Sequence, residues 1–135
     1  MSETAILDAS AILAFLQQER GHEVVQSALQ QSPAWVTTVN ACETLSTLCD
    51  KGMPLEVAEI AMGNLRLSVV DFTIELGRIA ASLRVPTKGI GASLGDRACL
   101  ALAQWAISRQ DTPVVYTAER AWGKLKWPFK LVLIR

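Results

Sequence analysis

Histidine occurs once in these 135 residues, at His22, and the shortage closes off a group of chemistries. His22 sits in a polar helix start with no motif around it, so it reads as a surface residue, and serine or cysteine hydrolysis of the triad type has no base. Cysteine is nearly as sparse. Cys42, Cys49 and Cys99 are odd in number, form no C-x-x-C pair and lie in apolar helical stretches, which argues against a disulfide framework or a zinc site and for reduced thiols in the core. No repeat or low-complexity tract marks a second domain, and the start MSETAILDAS has no basic n-region. Long apolar runs are also missing: ACLALAQWAI is too short to span a bilayer and is broken by Gln104. The expectation is a cytoplasmic protein without membrane contact, folded as one domain over residues 1–135. A chain of that length buries roughly two thirds of its unfolded surface.

Net charge is zero, but the average hides an asymmetry. Residues 1–77 hold three basic side chains (Arg20, Lys51, Arg66) against ten acidic ones, and residues 78–135 hold ten basic against three acidic (Asp96, Asp111, Glu119). The basic part is either an electrostatic footprint for nucleic acid or the surface that meets the acidic part in the fold.

Hydrophobic pattern and turn residues predict alternating strands and helices. TAILD (4–8) reads as a buried strand and ASAILAFLQQE as the helix after it; Gly21 breaks the pattern, and HEVVQSALQQ is a second helix stopped by Ser32-Pro33. AWVTT is a strand followed by a helix over 39–51, with Cys42, Leu45 and Cys49 as its buried face and Asn40, Thr47 and Asp50 on its solvated one. A helix over 54–64, the strand RLSVVDF and a helix over 73–84 lead to PTKGIGASLG (86–95), the one flexible loop. The helix beginning SLGDRACLALA, the strand PVVYT, the short helical turn AERAWGKL and the strand FKLVLI complete the chain. The class is α/β, a central mostly parallel sheet of about five strands flanked by helices.

Most acidic residues lie in polar settings, where solvation explains them. Asp8, Glu43, Asp96 and Glu119 instead fall at the carboxyl end of a strand or the amino end of a helix. In a parallel α/β sheet those places converge on one edge, where helix dipoles favour negative charge. Four carboxylates drawn together repel one another unless a cation neutralises them, and hard oxygen donors suit Mg²⁺ or Mn²⁺. The implied chemistry is metal-assisted hydrolysis of a phosphodiester. Each residue also has a plainer reading. Asp8 suits an N-cap, Asp96 resembles the third residue of a capping box with Ser93, and Glu119 suits a first-turn acid capped by Thr117. Glu43 fits a solvated helix face. Ser10 and Thr117 serve either as caps or as hydrogen-bond partners of ligand carboxylates.

The stretches ILDASAILA, the glutamate in the helix after strand two, SLGDRACLALA and VYTAERAW together resemble a PIN domain of the VapC toxin type. The resemblance spans nearly the whole chain, and GDRACLALA is its most specific part. It implies a compact α/β ribonuclease that cuts RNA with Mg²⁺ or Mn²⁺ held by acids, and it puts Asp8, Glu43 and Asp96 on the first three acidic positions. At the fourth, the family commonly has T-A-D where this chain has Thr117-Ala118-Glu119. The extra methylene moves that carboxylate, which would then reach the metal through water or not at all. The resemblance further implies a small antitoxin that wraps the toxin and covers its cleft, and a homodimer. Ile12, Phe15, Leu16, Val25 and Leu29 on the first two helices are the apolar positions offered for docking, with ordinary core as their other reading. Trp35, Trp105, Trp122 and Trp127 read as core anchors. Arg97, Arg120, Lys124 and Lys126 flank the third and fourth motifs, where they would steer RNA phosphates; Arg97 also suits a role in the fold.

The alternatives are a non-catalytic or differently specific PIN-like binding module and another phosphoryl-transfer hydrolase. A dehalogenase-like phosphatase wants a second aspartate two residues after Asp8, and Ser10 stands there.

Overall fold

The computed structural model describes residues 3–135; residues 1 and 2, which the sequence reading includes in the domain, lie outside the described residues. The chain alternates as expected: β1 (Glu3–Leu7), α1 (Ala9–Leu16), α2 (His22–Gln31), β2 (Ala34–Thr37), α3 (Thr38–Asp50), α4 (Leu55–Gly63), β3 (Ser68–Val70), α5 (Ile74–Ser82), α6 (Leu94–Ser108), β4 (Thr112–Thr117) and β5 (Lys130–Leu133). Short 3-10 turns occupy Lys88–Ile90 and Arg120–Lys124. The sheet runs β3-β2-β1-β4-β5, and every neighbouring pair is parallel.

β1 is central because it is apolar on both faces. Ile6 packs into the cluster built by Leu76 and Ala80 of α5 with Cys99, Leu100, Leu102 and Ala103 of α6; Leu7 packs into the opposite cluster with Ala11, Ile12 and Val25 of α1 and α2 and Met62 of α4. Each such aliphatic side chain, fully buried, stabilises the fold by about 1.5–3 kcal/mol. α3 packs against α1, α4 and α6, so it joins the two layers. Among the described residues no helix is long and apolar enough to cross a membrane.

Several expected boundaries and faces differ, each for a local reason. The first strand ends at Leu7, and Asp8 is the N-cap of α1. α1 stops at Leu16 because Gln18 turns left-handed at φ 54°. Gly21, at φ 96°, then brings the chain so close to Ile134 that a Cβ would strike its carbonyl oxygen. β3 is shortened to three residues, since Arg66 turns at φ 57° and the Phe72 amide donates to Thr38 Oγ1. The stretch 86–95 is partly structured: Lys88–Ile90 form a 3-10 turn, Leu94 and Gly95 already belong to α6, and Thr87 is fully buried, its hydroxyl donating to Leu83 O at 2.6 Å.

The buried face of α3 is Asn40, Thr44 and Leu48, whereas Cys42 is exposed and Leu45 and Cys49 half-buried. The polar pair is buried because it is satisfied: Thr44 Oγ1 donates to Asn40 O at 2.8 Å, and Asn40 has its own partners. Ile12 and Val25 are core rather than a docking surface, with Phe15, Leu16 and Leu29 packed half-buried against them. The large exposed apolar side chains are elsewhere, among them Leu55, Val57, Ile60, Val69 and Ile74. Trp122 is buried, and Trp35, Trp105 and Trp127 pack against its cluster, as anchors do.

Candidate active site

With strand order β3-β2-β1-β4-β5, the chain reverses direction of travel across the sheet between β1 and β4, which opens a crevice at their carboxyl ends. Asp8 is the first residue past β1, and Thr117 is the last of β4. Asp8 Oδ1 accepts from the Ala11 amide at 2.8 Å and from Ser10 Oγ at 2.7 Å; Oδ2 accepts from Thr117 Oγ1 at 2.5 Å. The two hydroxyls are tied in turn to the loop after β4, Ser10 Oγ accepting from the Ala118 amide and Thr117 Oγ1 from the Glu119 amide, both at 2.9 Å. Asp8 thus caps its helix and is oriented on both oxygens.

Only 3% of Asp8 is exposed. Burial pushes its carboxyl up from 3.8 to about 6; the hydrogen bonds from Thr117, Ser10 and Ala11 pull it back, and the charge of Asp96 adds a further upward push. Among the described residues no basic side chain makes an ion pair with it.

Asp96 is the third residue of α6. Ser93 Oγ accepts from the Asp96 amide at 3.1 Å and Asp96 Oδ2 accepts from the Ser93 amide at 2.9 Å, a complete capping box. The cap occupies one carboxylate oxygen and leaves Oδ1 outside it. Glu43, exposed on the second turn of α3, accepts from Asn40 Nδ2 at 3.0 Å. Its carboxylate lies where a Cβ on Gly95, one residue before Asp96, would stand.

The charges of these three acids all act on one buried group. The Cys99 thiol, fully buried one turn beyond Asp96, is pushed well above its ordinary value by burial and then by the charges of Asp8, Asp96 and Glu43. Glu119 is not among the charges felt there. It is exposed, and it begins the 3-10 turn without a side-chain capping bond. Among the described residues no three histidine, cysteine, aspartate or glutamate side chains stand close enough to hold a metal. The acids are therefore gathered around one place without being closed into a cage. Their charge and hard oxygen donors fit a divalent cation, as does the lack of an ion pair on Asp8 among the described residues.

Two arginines of the site motifs are engaged elsewhere. Arg97 Nη1 donates to Ala80 O at 3.0 Å and pins α6 to α5; Arg120 Nη1 donates to Arg135 O at 3.0 Å. Asn40, expected on the solvated face of α3, is buried here, and Gly95 carried no expectation of its own. A usable signal was present in Thr37-x-x-Asn40-x-x-Glu43, three polar residues at steps that keep them on one side of a helix start.

A model of the PIN domain family matches residues 5–127. No curated protein sequence matches the chain. Among solved structures, the chain is similar to the Mycobacterium tuberculosis toxin VapC20, described as cleaving the sarcin–ricin loop, at 16% identity over 88% of this chain and 95% of that one, with a TM-score of 0.67. A toxin–antitoxin complex from Klebsiella pneumoniae matches at 14% identity over 97% and 98%, TM-score 0.68. VapBC2 from Rickettsia felis, bound to a promoter DNA fragment, matches at 14% over 96% and 97%, TM-score 0.64. At these identities the likeness speaks for the fold.

Proposed function

The chain belongs to the PIN domain family, and from that membership we propose that it is a divalent-metal-dependent endoribonuclease, the toxin of a toxin–antitoxin pair. The observation that carries the reading is Asp8, a buried carboxylate with no ion pair among the described residues, near enough to Asp96 to feel its charge, with Glu43 packed on Gly95 beside Asp96. Such a group is costly in the metal-free fold and makes sense as one part of a cation site.

Asp8, Asp96 and Glu43 would hold Mg²⁺ or Mn²⁺ directly, with Glu119 reached through water. The ion, when bound, lowers the pKa of a water and offsets charge on the scissile phosphate. Ser10 and Thr117 keep both oxygens of Asp8 fixed in direction, so little reorganisation is needed at the reacting phosphate. Arg97 holds α6 in place. Arg120 and Lys124 on the turn after β4, with Lys126 just beyond it, supply positive charge that would raise the local concentration of RNA. The partners in this reading are an RNA substrate, a protein antitoxin and a second copy of the chain, in the cytoplasm. An antitoxin partner is supported by the toxin–antitoxin complexes among the similar structures. Support for a dimer comes from the exposed Leu55, Val57, Ile60 and Val69, apolar surface of the kind that partners cover.

The purified chain, free of any antitoxin, is expected to cleave RNA with Mg²⁺ or Mn²⁺, to stop on chelation and to recover when the metal is returned. Cutting that survives chelation would overturn the metal site. Glu119→Gln is expected to slow cleavage by about tenfold, the lower end for a residue acting through a metal-bound water. A loss as deep as that at Asp8 would make Glu119 a direct ligand, and an unchanged rate would remove it from the site.

A further inference from the structure

We infer that Asn40 and Gly95 are a positioning pair that fixes where the Glu43 carboxylate stands against Asp96, an inference that rests on the metal-site reading above. Asn40 is 1% exposed and uses every polar atom of its amide. Its Oδ1 accepts from Thr37 Oγ1 at 2.6 Å, and Nδ2 donates both to Glu43 Oε1 and to Gly95 O, each at 3.0 Å. The amide has only one workable orientation. Thr37 Oγ1 already accepts from the Asn40 amide at 3.0 Å, and a flipped side chain would set Oδ1 against both a carbonyl and a carboxylate. One buried group therefore ties the start of α3 to the first turn of α6 and holds Glu43 between them.

Gly95 supplies the space. Its φ lies outside the left-handed region, so no backbone conformation calls for glycine there, and within a helix glycine is a poorer former than alanine. What it admits is the Glu43 carboxylate: both oxygens and Cδ lie where the missing Cβ would be. Those atoms end a flexible, exposed side chain, so a methyl at 95 would displace the carboxylate rather than the helix.

Gly95→Ala therefore separates positioning from folding. In the full-length protein, calorimetric Mn²⁺ affinity is expected to fall by about ten- to a hundredfold, the range for groups that orient metal ligands. The unfolding midpoint should stay the same or rise. Gly63→Ala in α4, where nothing lies within 4 Å, controls for helix propensity and should leave Mn²⁺ affinity unchanged. Gly95→Ala combined with Glu43→Gln should bind no more weakly than Glu43→Gln alone, because both act through the same carboxylate. Undiminished affinity in Gly95→Ala, or losses that multiply in the double variant, would overturn the pair.

A metal-free measurement stands apart from the function. The side-chain amide protons of Asn40 should shift and exchange faster in Gly95→Ala and in Glu43→Ala, each of which takes the carboxylate acceptor away; unchanged resonances would overturn the inference. Failure of the wild-type chain to bind Mn²⁺ would sink the metal-site reading and with it the role of the pair at a metal, while the amide measurement still decides the contact itself.

Discussion

Asp8→Asn is expected to cut RNA cleavage by at least roughly a hundredfold and, in the same protein without metal, to raise stability at neutral pH. The activity loss follows from removing the most buried charge of the site. The stability gain follows from the sign of its shift. The folded carboxyl titrates at about 6, above the 3.8 of the free group, so between these values the folded chain keeps a proton that the unfolded chain has lost. Stability is then fullest below about pH 4, declines as pH rises to about 6, and stays low above; the decline is about 3 kcal/mol for a shift of this size. Asparagine has no such titration, and Thr117 Oγ1 can accept from its amide where it now donates to Oδ2. Urea midpoints in chelator should coincide near pH 4 and separate in favour of the variant by pH 7. A wild-type chain that gains on the variant over that window would contradict the account. Saturating Mg²⁺ should close the gap for the wild type alone, by about 2.7 kcal/mol at a hundred times the dissociation constant.

Asp96→Asn is the second large effect, and it separates two roles that one carboxylate combines. The capping bond needs only one acceptor oxygen, which asparagine retains, so the Ser93 amide keeps its partner. The lost charge at the helix start costs about 0.3–1 kcal/mol. Cleavage should fall by roughly a hundredfold or more while the far-ultraviolet spectrum and cooperative unfolding persist. A variant that unfolds yet keeps its rate per folded molecule would reduce Asp96 to a cap.

The strand and helix order was readable because a parallel sheet covered on both faces leaves a strong mark. TAILD and PVVYT are continuous apolar runs, and Ser-Pro and Gly punctuate the helices between them. Positions at element ends were readable for a related reason, since a polar residue just after such a strand stands out. What periodicity missed was burial that polar groups earn by pairing. Asn40 looked solvated because it is an amide, yet its partners are Thr37, Glu43 and a carbonyl 55 residues away. The docking role offered for Ile12 and Val25 failed for the opposite reason, since helices covered on several sides are apolar beyond a single stripe. Glycine at 95 carries no pattern at all; only the approach of another element gives it meaning.

The hydrogen bond from Thr117 to Asp8 spans 109 residues. On its β4 edge, β1 is paired only once β4 has been made, after all six helices and two other strands. Without β4, Asp8 keeps only the local bonds from Ser10 and the Ala11 amide. Domains fold as units once their last pairing strand is available. The order of the strands thus makes the surroundings of Asp8 a late product of folding: a chain without β4 lacks the hydroxyl that fixes the second oxygen of Asp8.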